Sequence, residues 1–253
     1  MNKISGIIIA RNEEEMIGEA LDSLDFCDEI ILVDNGSTDK TKEIAEKKGA
    51  KIFEIQTNDF SQLRNFGLSK AGSDWVLYLD ADERINDELK DAIKKVIAEN
   101  PETSAFLLKR KNYYFGKHEW PYIEKMERLF KKEKLKGWQG KLHESPIFEG
   151  ETGRIDNGFI LHFTHRDLES MLNKTTEWSS QEALLRYNSG HPQMTWWRFP
   201  RVMTTAFINS YVKQKGYKAG AVGIIESTYQ AFSMFITYAK LWELQKAQKK
   251  RGK

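Results

Sequence analysis

Trp75-Val76-Leu77-Tyr78-Leu79-Asp80-Ala81-Asp82-Glu83 is the stretch that decides the fold. It is an apolar run of strand length that ends in a cluster of carboxylates. An earlier stretch, Ile30-Ile31-Leu32-Val33-Asp34-Asn35-Gly36-Ser37-Thr38-Asp39, has the same design. In an open α/β sheet, ligands bind in the crevice beyond the carboxyl ends of the strands. Acids delivered there twice point to a site for a cation and a polyphosphate.

Working outward, residues 3–10 read as a strand with Ile4, Ile7, Ile8 and Ile9, followed by Arg11-Asn12-Glu13. Met16, Ile17, Ala20, Leu21 and Leu24 then share one helical face. Glu29 to Val33 is a second strand. Ser37 or Thr38 is placed to cap a helix containing Ile44 and Ala45, with Asp39 in its first turn. Lys51 to Ile55 is a third strand, and Phe60, Leu63, Phe66, Gly67 and Leu68 predict another helix. Trp75 to Leu79 is the fourth strand, and Asn86 to Glu99 a helix ended by Pro101. Strands alternating with helices imply a parallel sheet wound by right-handed crossovers.

From Ser104 the rhythm changes. Ala105 to Leu108, Tyr113 to Phe115, Glu127 to Phe130 and Phe159 to Phe163 read as short strands, hence a mixed or antiparallel extension. From Leu168 the chain is helical again, and apolar residues recur at Val222, Ile225, Tyr229, Phe232, Ile236 and Ala239. The expected organisation is one catalytic-type domain over 1–165, whose rhythm changes near residue 100. A helical region over 166–253 follows.

Of the 253 residues, 40% are hydrophobic and 30% charged, with a formal net charge of +2. These values suit a soluble globular protein and argue against a partner such as nucleic acid. The single cysteine, Cys27, cannot form an internal disulfide, and the apolar run Ile4 to Ala10 is too short for a signal peptide. Ser227 to Ala239 is too short to span a bilayer. A cytoplasmic protein is expected. Two readings stand for Trp196-Trp197-Arg198-Phe199-Pro200-Arg201 together with Lys213, Lys215, Lys218 and the stripe from Val222. One is peripheral contact with the inner face of the cytoplasmic membrane. The other is packing on the core or on another subunit, as in a homo-oligomer. The basic run Lys246 to Lys253 is either a solvated end or a lipid-facing one.

Asp80 and Asp82 stand on alternate residues past a strand, so both can turn toward one Mg²⁺ or Mn²⁺, or toward a ribose and a cation. The plainer alternative is a loop capping the helix near Asn86. Asp34 is either turn chemistry or an acceptor for a nucleobase or ribose. Arg11 and Arg64 are either ligand-binding cations or partners of Glu13 and Asp59. His162 either completes a metal sphere or is structural; His162-Phe163-Thr164-His165 is no zinc signature. Neither a G-x-G-x-x-G loop nor a Walker lysine motif occurs, which argues against dinucleotide dehydrogenases and P-loop enzymes. A haloacid-dehalogenase-type phosphohydrolase and a non-catalytic sugar-nucleotide binder remain as alternatives.

Ile8-Ile9-Ala10-Arg11-Asn12-Glu13, Val33 to Asp39, Arg64-Asn65-Phe66-Gly67 and Leu79-Asp80-Ala81-Asp82-Glu83 closely resemble family 2 glycosyltransferases of the GT-A fold. Arg128-Leu129-Phe130, Lys141-Leu142-His143-Glu144, Leu161 to His165 and Gly216 to Gly220 are similar to the branch of small lipopolysaccharide core β-glucosyltransferases. The resemblance implies a Rossmann-like, mostly parallel sheet and metal-dependent, inverting transfer of one sugar from a nucleotide-sugar, a UDP-sugar, to a glycan or lipid-linked saccharide. Ala10, Arg11, Asn12, Glu13 and Ala81 would line the donor pocket, with Asp34 on the base and Arg64 near base and phosphates. Asp80 would contact ribose or metal and Asp82 the metal, within a nucleotide-binding half over 1–100 that precedes an acceptor half over 101–165. Glu144 would activate the acceptor, beside Arg128, Trp138 and His143; the plainer alternative for His143-Glu144 is an exposed loop pair. The Gln-x-x-Arg-Trp sequence of processive members is absent, which points to single transfer.

Overall fold

A computed structural model describes residues 2–251, without the side chains of Glu177 and residues 248–251; the end of the basic run therefore lies outside the described residues. The chain forms two compact units. One comprises Met1–Lys111 and Ile123–His162, the other Asn112–Tyr122 and Phe163–Lys253.

In the first unit, β1 (Ile4–Ala10), α1 (Ile17–Asp22), β2 (Glu29–Asp34), α2 (Thr41–Lys47), β3 (Lys51–Glu54), α3 (Phe60–Lys70) and β4 (Trp75–Asp80) alternate as expected. β1, β2, β3 and β4 are parallel. Every residue of β1 is buried. Alternate side chains feed two cores: Ile4, Ile8, Leu32, Leu77 and Leu79 meet one, while Ile7, Ile9, Ile31, Val33, Val76 and Tyr78 meet the other. Double-sided burial explains why these strands read as continuous apolar runs.

β5 (Glu83–Ile85), α4 (Asp87–Glu99), β6 (Ala105–Tyr114), β7 (His118–Lys131), β8 (Leu135–Gln139), β9 (Ser145–Phe148), β10 (Thr152–Arg154) and β11 (Ile160–Phe163) complete the sheets. The main sheet runs β3-β2-β1-β4-β7-β6-β11-β5, with β10 beside β6; β8 and β9 form a separate pair. Only Ala81 and Asp82 separate β4 from β5 in sequence, yet β5 ends the path. The sheet therefore curls back, and Asp80-Ala81-Asp82 lies at its seam. The expected short strands near 113–115 and 127–130 belong to two long strands, β6 and β7, whose alternating polar residues hid their length.

Local chemistry sets the helix ends. Asp59 caps α3, its Oδ1 accepting from the Ser61 and Gln62 amides at 3.0 and 3.3 Å. The expected cap of α2 by Ser37 or Thr38 is not formed: the helix starts at Thr41, past both residues, and Asp39, which precedes it rather than lying in its first turn, accepts from the Thr41 amide at 3.0 Å. Asn86 Oδ1 accepts from Leu89 N at 3.1 Å, capping α4, and from Phe159 N at 2.8 Å. Gly158 sits against this helix start with φ of 75°, where a Cβ would fall 2.1 Å from Leu89 N.

In the second unit, α5 (Leu168–Asn188), α6 (Arg198–Ile208) and α7 (Gly220–Arg251) surround Ala183, Met194, Tyr238 and Leu241. Asp167 caps α5 through the Ser170 amide at 2.7 Å. Among the described residues no helix is long and apolar enough to cross a membrane.

Gly67 brings α3 close to the sheet: a Cβ there would stand 2.6 Å from Ile7 Cγ2 and 3.1 Å from Val33 Cγ2. Both neighbours are buried and β-branched. Gly67→Ala should cost about 1–3 kcal/mol in urea unfolding through overpacking; an unchanged midpoint would refute close approach.

Glu29 ties three strand starts together, accepting from Ser5 Oγ at 2.6 Å, Lys51 Nζ at 2.7 Å and Gly72 N at 2.6 Å. Burial alone would raise its carboxyl; bonds from Lys51, Ser5 and Gly72 hold it down to about 2. A depressed carboxylate stabilises the fold above its ordinary range, and the benefit disappears as pH falls toward 2. Wild type should exceed Glu29→Gln in stability at neutral pH, by about 1 kcal/mol once screening by solvent is allowed for. That gap should close between pH 4.5 and 2; a pH-independent gap contradicts the assignment.

Candidate active site

Ala10 to Glu13, Asp34, Asp80 and Asp82 sit at or just past the carboxyl ends of the parallel strands. Ala10 ends β1 and pairs in register with Asp34, the last residue of β2. Both are buried. Asp34 Oδ2 accepts from the Gly36 and Ser37 amides at 3.0 and 2.9 Å, which is the turn expected of Asp-Asn-Gly-Ser. Its other oxygen, Oδ1, is buried and has no hydrogen-bond partner among the described residues. Leaving such an acceptor unpaired costs about 1–3 kcal/mol, so the turn alone does not account for it.

Asn12 takes a left-handed φ of 55°. Its amide donates to Ser37 Oγ at 3.0 Å, and its Oδ1 accepts from Thr38 N at 2.8 Å. The Glu13 amide donates to Thr41 Oγ1 at 2.8 Å. The loops after β1 and β2 therefore hold one another, with Arg11 exposed at this edge.

Arg64, on α3, is 5% exposed. Its Nε donates to Glu144 Oε1 at 2.7 Å and its Nη2 to Asp80 Oδ1 at 3.0 Å. The guanidinium lies 4.9 Å from the Trp138 ring and 5.6 Å from that of Tyr78. Nη1 is buried and without a hydrogen-bond partner among the described residues. The ion pairing considered for Arg64 therefore exists, but with remote acids rather than Asp59.

Asp80 ends β4. Its Oδ2 accepts from Arg128 Nη2 at 2.7 Å, and its backbone N–H donates to Glu83 Oε2 at 3.0 Å. Burial would raise the Asp80 carboxyl; Arg128 and Arg64 overcome it and hold the group well below the usual carboxylate range. Arg128 Nη2 also reaches Glu83 Oε1 at 3.2 Å, and Arg110 Nη1 reaches the same oxygen at 2.7 Å. Arg110 continues to Glu124. Burial would lower the Arg128 guanidinium, but Asp80 and Glu83 push it up. The result is an alternating run, Glu144–Arg64–Asp80–Arg128–Glu83–Arg110–Glu124. Arg84 fixes the adjoining turn, donating to the Ala81, Glu83 and Met16 carbonyls. Glu83, Arg84, Arg110 and Glu124 were not selected from sequence. Glu83 adjoins Asp82 in an already suspect cluster, which was the one available signal.

Asp82 approaches the strand opposite. β5 and β11 pair antiparallel with Glu83 beside His162, which brings Asp82 Oδ2 to 3.3 Å from His162 Nε2. Arg128 and Trp138, assigned to the acceptor side, are buried. Trp138 packs on Tyr78 and Phe130 beneath Arg64. His143 is exposed, next to the half-buried Glu144.

No group of three or more His, Cys, Asp or Glu side chains gathers to hold a metal among the described residues. Asp82 and His162 do offer one oxygen and one nitrogen at the sheet seam. The Asp82 carboxylate suits a Mg²⁺ or Mn²⁺ ion, which commonly takes one or two protein carboxylates and completes its sphere with waters and substrate phosphates. Asp80 is already engaged by two arginines.

Residues 5–150 match the family described as glycosyl transferase family 2. The chain belongs to this family. The glycosyltransferase is 30% identical, over 96% of its length and 88% of the relative's, to an uncharacterized glycosyltransferase of Rickettsia typhi. It is 27% identical, over 95% and 92%, to the lipopolysaccharide core biosynthesis glycosyltransferase LpsC of Rhizobium meliloti. The solved structure of S. aureus TarS 1–349 in complex with UDP shares the fold, with a TM-score of 0.51 at 19% identity, covering 97% of this chain and 92% of that one. The GT-A fold expected from sequence is the one observed. Family membership removes the phosphohydrolase alternative, and three strands precede the Asp80 strand.

Removing one ion from the buried run should be costly. Arg128→Met should lower unfolding stability by about 3–5 kcal/mol, because Asp80 and Glu83 lose a shared cation. The exposed Lys42–Glu54 pair provides the comparison: Lys42→Met should cost under about 1 kcal/mol. Equal losses in urea melts would refute a special place for the buried run.

Proposed function

We propose that the enzyme moves one sugar from a UDP-sugar to a hydroxyl of a glycan or lipid-linked saccharide, with inversion at the anomeric carbon. The observation that carries this reading is the pair of buried, unsatisfied groups, Asp34 Oδ1 and Arg64 Nη1. A carboxylate oxygen needs an N–H, which a uracil imide supplies; a guanidinium N–H needs an anionic oxygen, which a diphosphate supplies. The UDP bound by TarS supports this choice of base, and the part LpsC takes in lipopolysaccharide core biosynthesis supports lipopolysaccharide core as the acceptor class. Ala10, Arg11, Asn12, Glu13 and Ala81 line the rest of the donor site in this reading.

Asp82 and His162 are the residues to hold magnesium or manganese, which when bound supplies positive charge against that of the leaving diphosphate. Asp80, anchored by Arg64 and Arg128 yet 31% exposed, keeps a carboxylate edge toward the donor. Glu144 is the group to take the acceptor's hydroxyl proton, an aid typically worth 10²–10⁴-fold. Its Oε1 accepts from Arg64 Nε at 2.7 Å. A phosphate drawn to Nη1 would compete for the guanidinium and release that oxygen. Attack from the face opposite the leaving group turns an α-linked donor into a β-linked product. All these residues lie in the first unit, which supports a catalytic segment ending near residue 165.

A thermal-shift screen of nucleotide sugars, with and without Mn²⁺, tests the donor. Stabilisation by UDP-sugars that grows with the cation is expected, and Asp82→Ala should lose the cation-dependent part. Glu144→Gln should bind UDP normally while transfer falls at least about 10²-fold. Normal turnover by that variant overturns its role, and indifference to every nucleotide overturns the reading.

A further inference from the structure

The second unit carries a surface that sugar transfer does not use. Residues 183–225 contain no Asp or Glu, but do contain Arg186, Arg198, Arg201, Lys213, Lys215 and Lys218. The flanking acids do not offset this charge outward: Glu182 pairs with Arg186 at 2.6 Å. Glu226 is buried, its carboxylate meeting His165 Nδ1 at 3.0 Å and accepting from Gln230 Nε2 at 2.7 Å.

Aromatic and aliphatic side chains stand on this basic background. Trp196 is 83% exposed and Trp197 43%, and the Arg198 guanidinium lies 5.1 Å from the Trp197 ring. None of the residues of α6 is buried. Its inner side, Phe199 and Val202, packs toward the Tyr238 cluster. Trp197, Arg201, Thr204, Ile208 and Val212 are exposed at helical spacing, so they form an outward stripe. Exposed Lys213, Lys215, Tyr217 and Lys218 continue it.

We propose that the stripe from Trp196 to Lys218 docks on the surface of a bilayer bearing anionic headgroups, lying on it rather than crossing it. Interfacial sites combine tryptophan and tyrosine at headgroup depth with lysine and arginine facing anionic lipid. A second copy of the chain suits the stripe poorly. A two-fold contact would set the same basic patch against itself, with no acid in the segment to answer it. This inference does not depend on which sugar or acceptor the enzyme uses.

The test is cosedimentation of the full chain with vesicles of phosphatidylcholine, alone or with about a quarter phosphatidylglycerol. Binding to the anionic vesicles should exceed binding to neutral ones by at least about fivefold and fade in 1 M salt, where charges are screened within a few ångströms. Trp196→Ser/Trp197→Ser should remove most of that binding, as should Lys213→Glu/Lys215→Glu/Lys218→Glu, with thermal unfolding unchanged. Equal sedimentation with both vesicle types, or wild-type binding by both variants, overturns the proposal. So does a lipid-free dimer that the tryptophan variant converts to monomer, since the stripe would then belong to a second copy.

Discussion

Carboxylates and guanidiniums alternate along Glu144–Arg64–Asp80–Arg128–Glu83–Arg110–Glu124, and the first unit is arranged around them. A buried ion costs several kcal/mol unless a partner is held at hydrogen-bond distance. Satisfying that requirement fixes α3, the end of β4, β5, β6, β7 and the segment after β8 relative to one another. The aromatic floor of Trp138 and Tyr78 limits where Arg64 can go. Rigidity there is useful to a transferase, whose site has to hold charged groups in place before the charge on the leaving group develops.

The parallel half was legible because burial on both faces leaves a plain signal: continuous apolar strands, helices between them and acids at the ends. Asp34, Asp80 and Asp82 could be selected as residues because strand ends predict where ligands go. Their partners could not. Arg64 meets Glu144 across 80 positions and Arg128 meets Asp80 across 48, and no local pattern encodes such pairings. Glu83–Ile85 escaped notice as a strand because three residues carry no periodicity, and its pairing with β11 is a tertiary event.

The long hairpin of β6 and β7 was underestimated for a related reason. Its outer residues include His118, Glu119, Tyr122, Glu124 and Lys125, which read as loop when taken singly. β-propensity reflects the surface a strand packs on, and here the tip residues 112–122 belong with the C-terminal unit rather than the sheet core. The α2 cap failed differently. Ser37 and Thr38 are good capping residues, but the helix begins at Thr41, and the turn that holds them is fixed by the Asn12 amide and side chain. Local preference lost to a loop arriving from 25 residues away.

Asn86 has a consequence for how the chain assembles. One side-chain oxygen serves both the start of α4 and the amide of Phe159, which lies 73 residues further on. The helix contact is local and forms quickly, whereas closing so long a loop carries a large entropic cost. Once α4 has nucleated, however, it presents a fixed acceptor and a shallow glycine-sized notch at which Gly158 and Phe159 can land. The return strand carrying His162 thus has a prepared landing place, which brings it beside β5 at the seam.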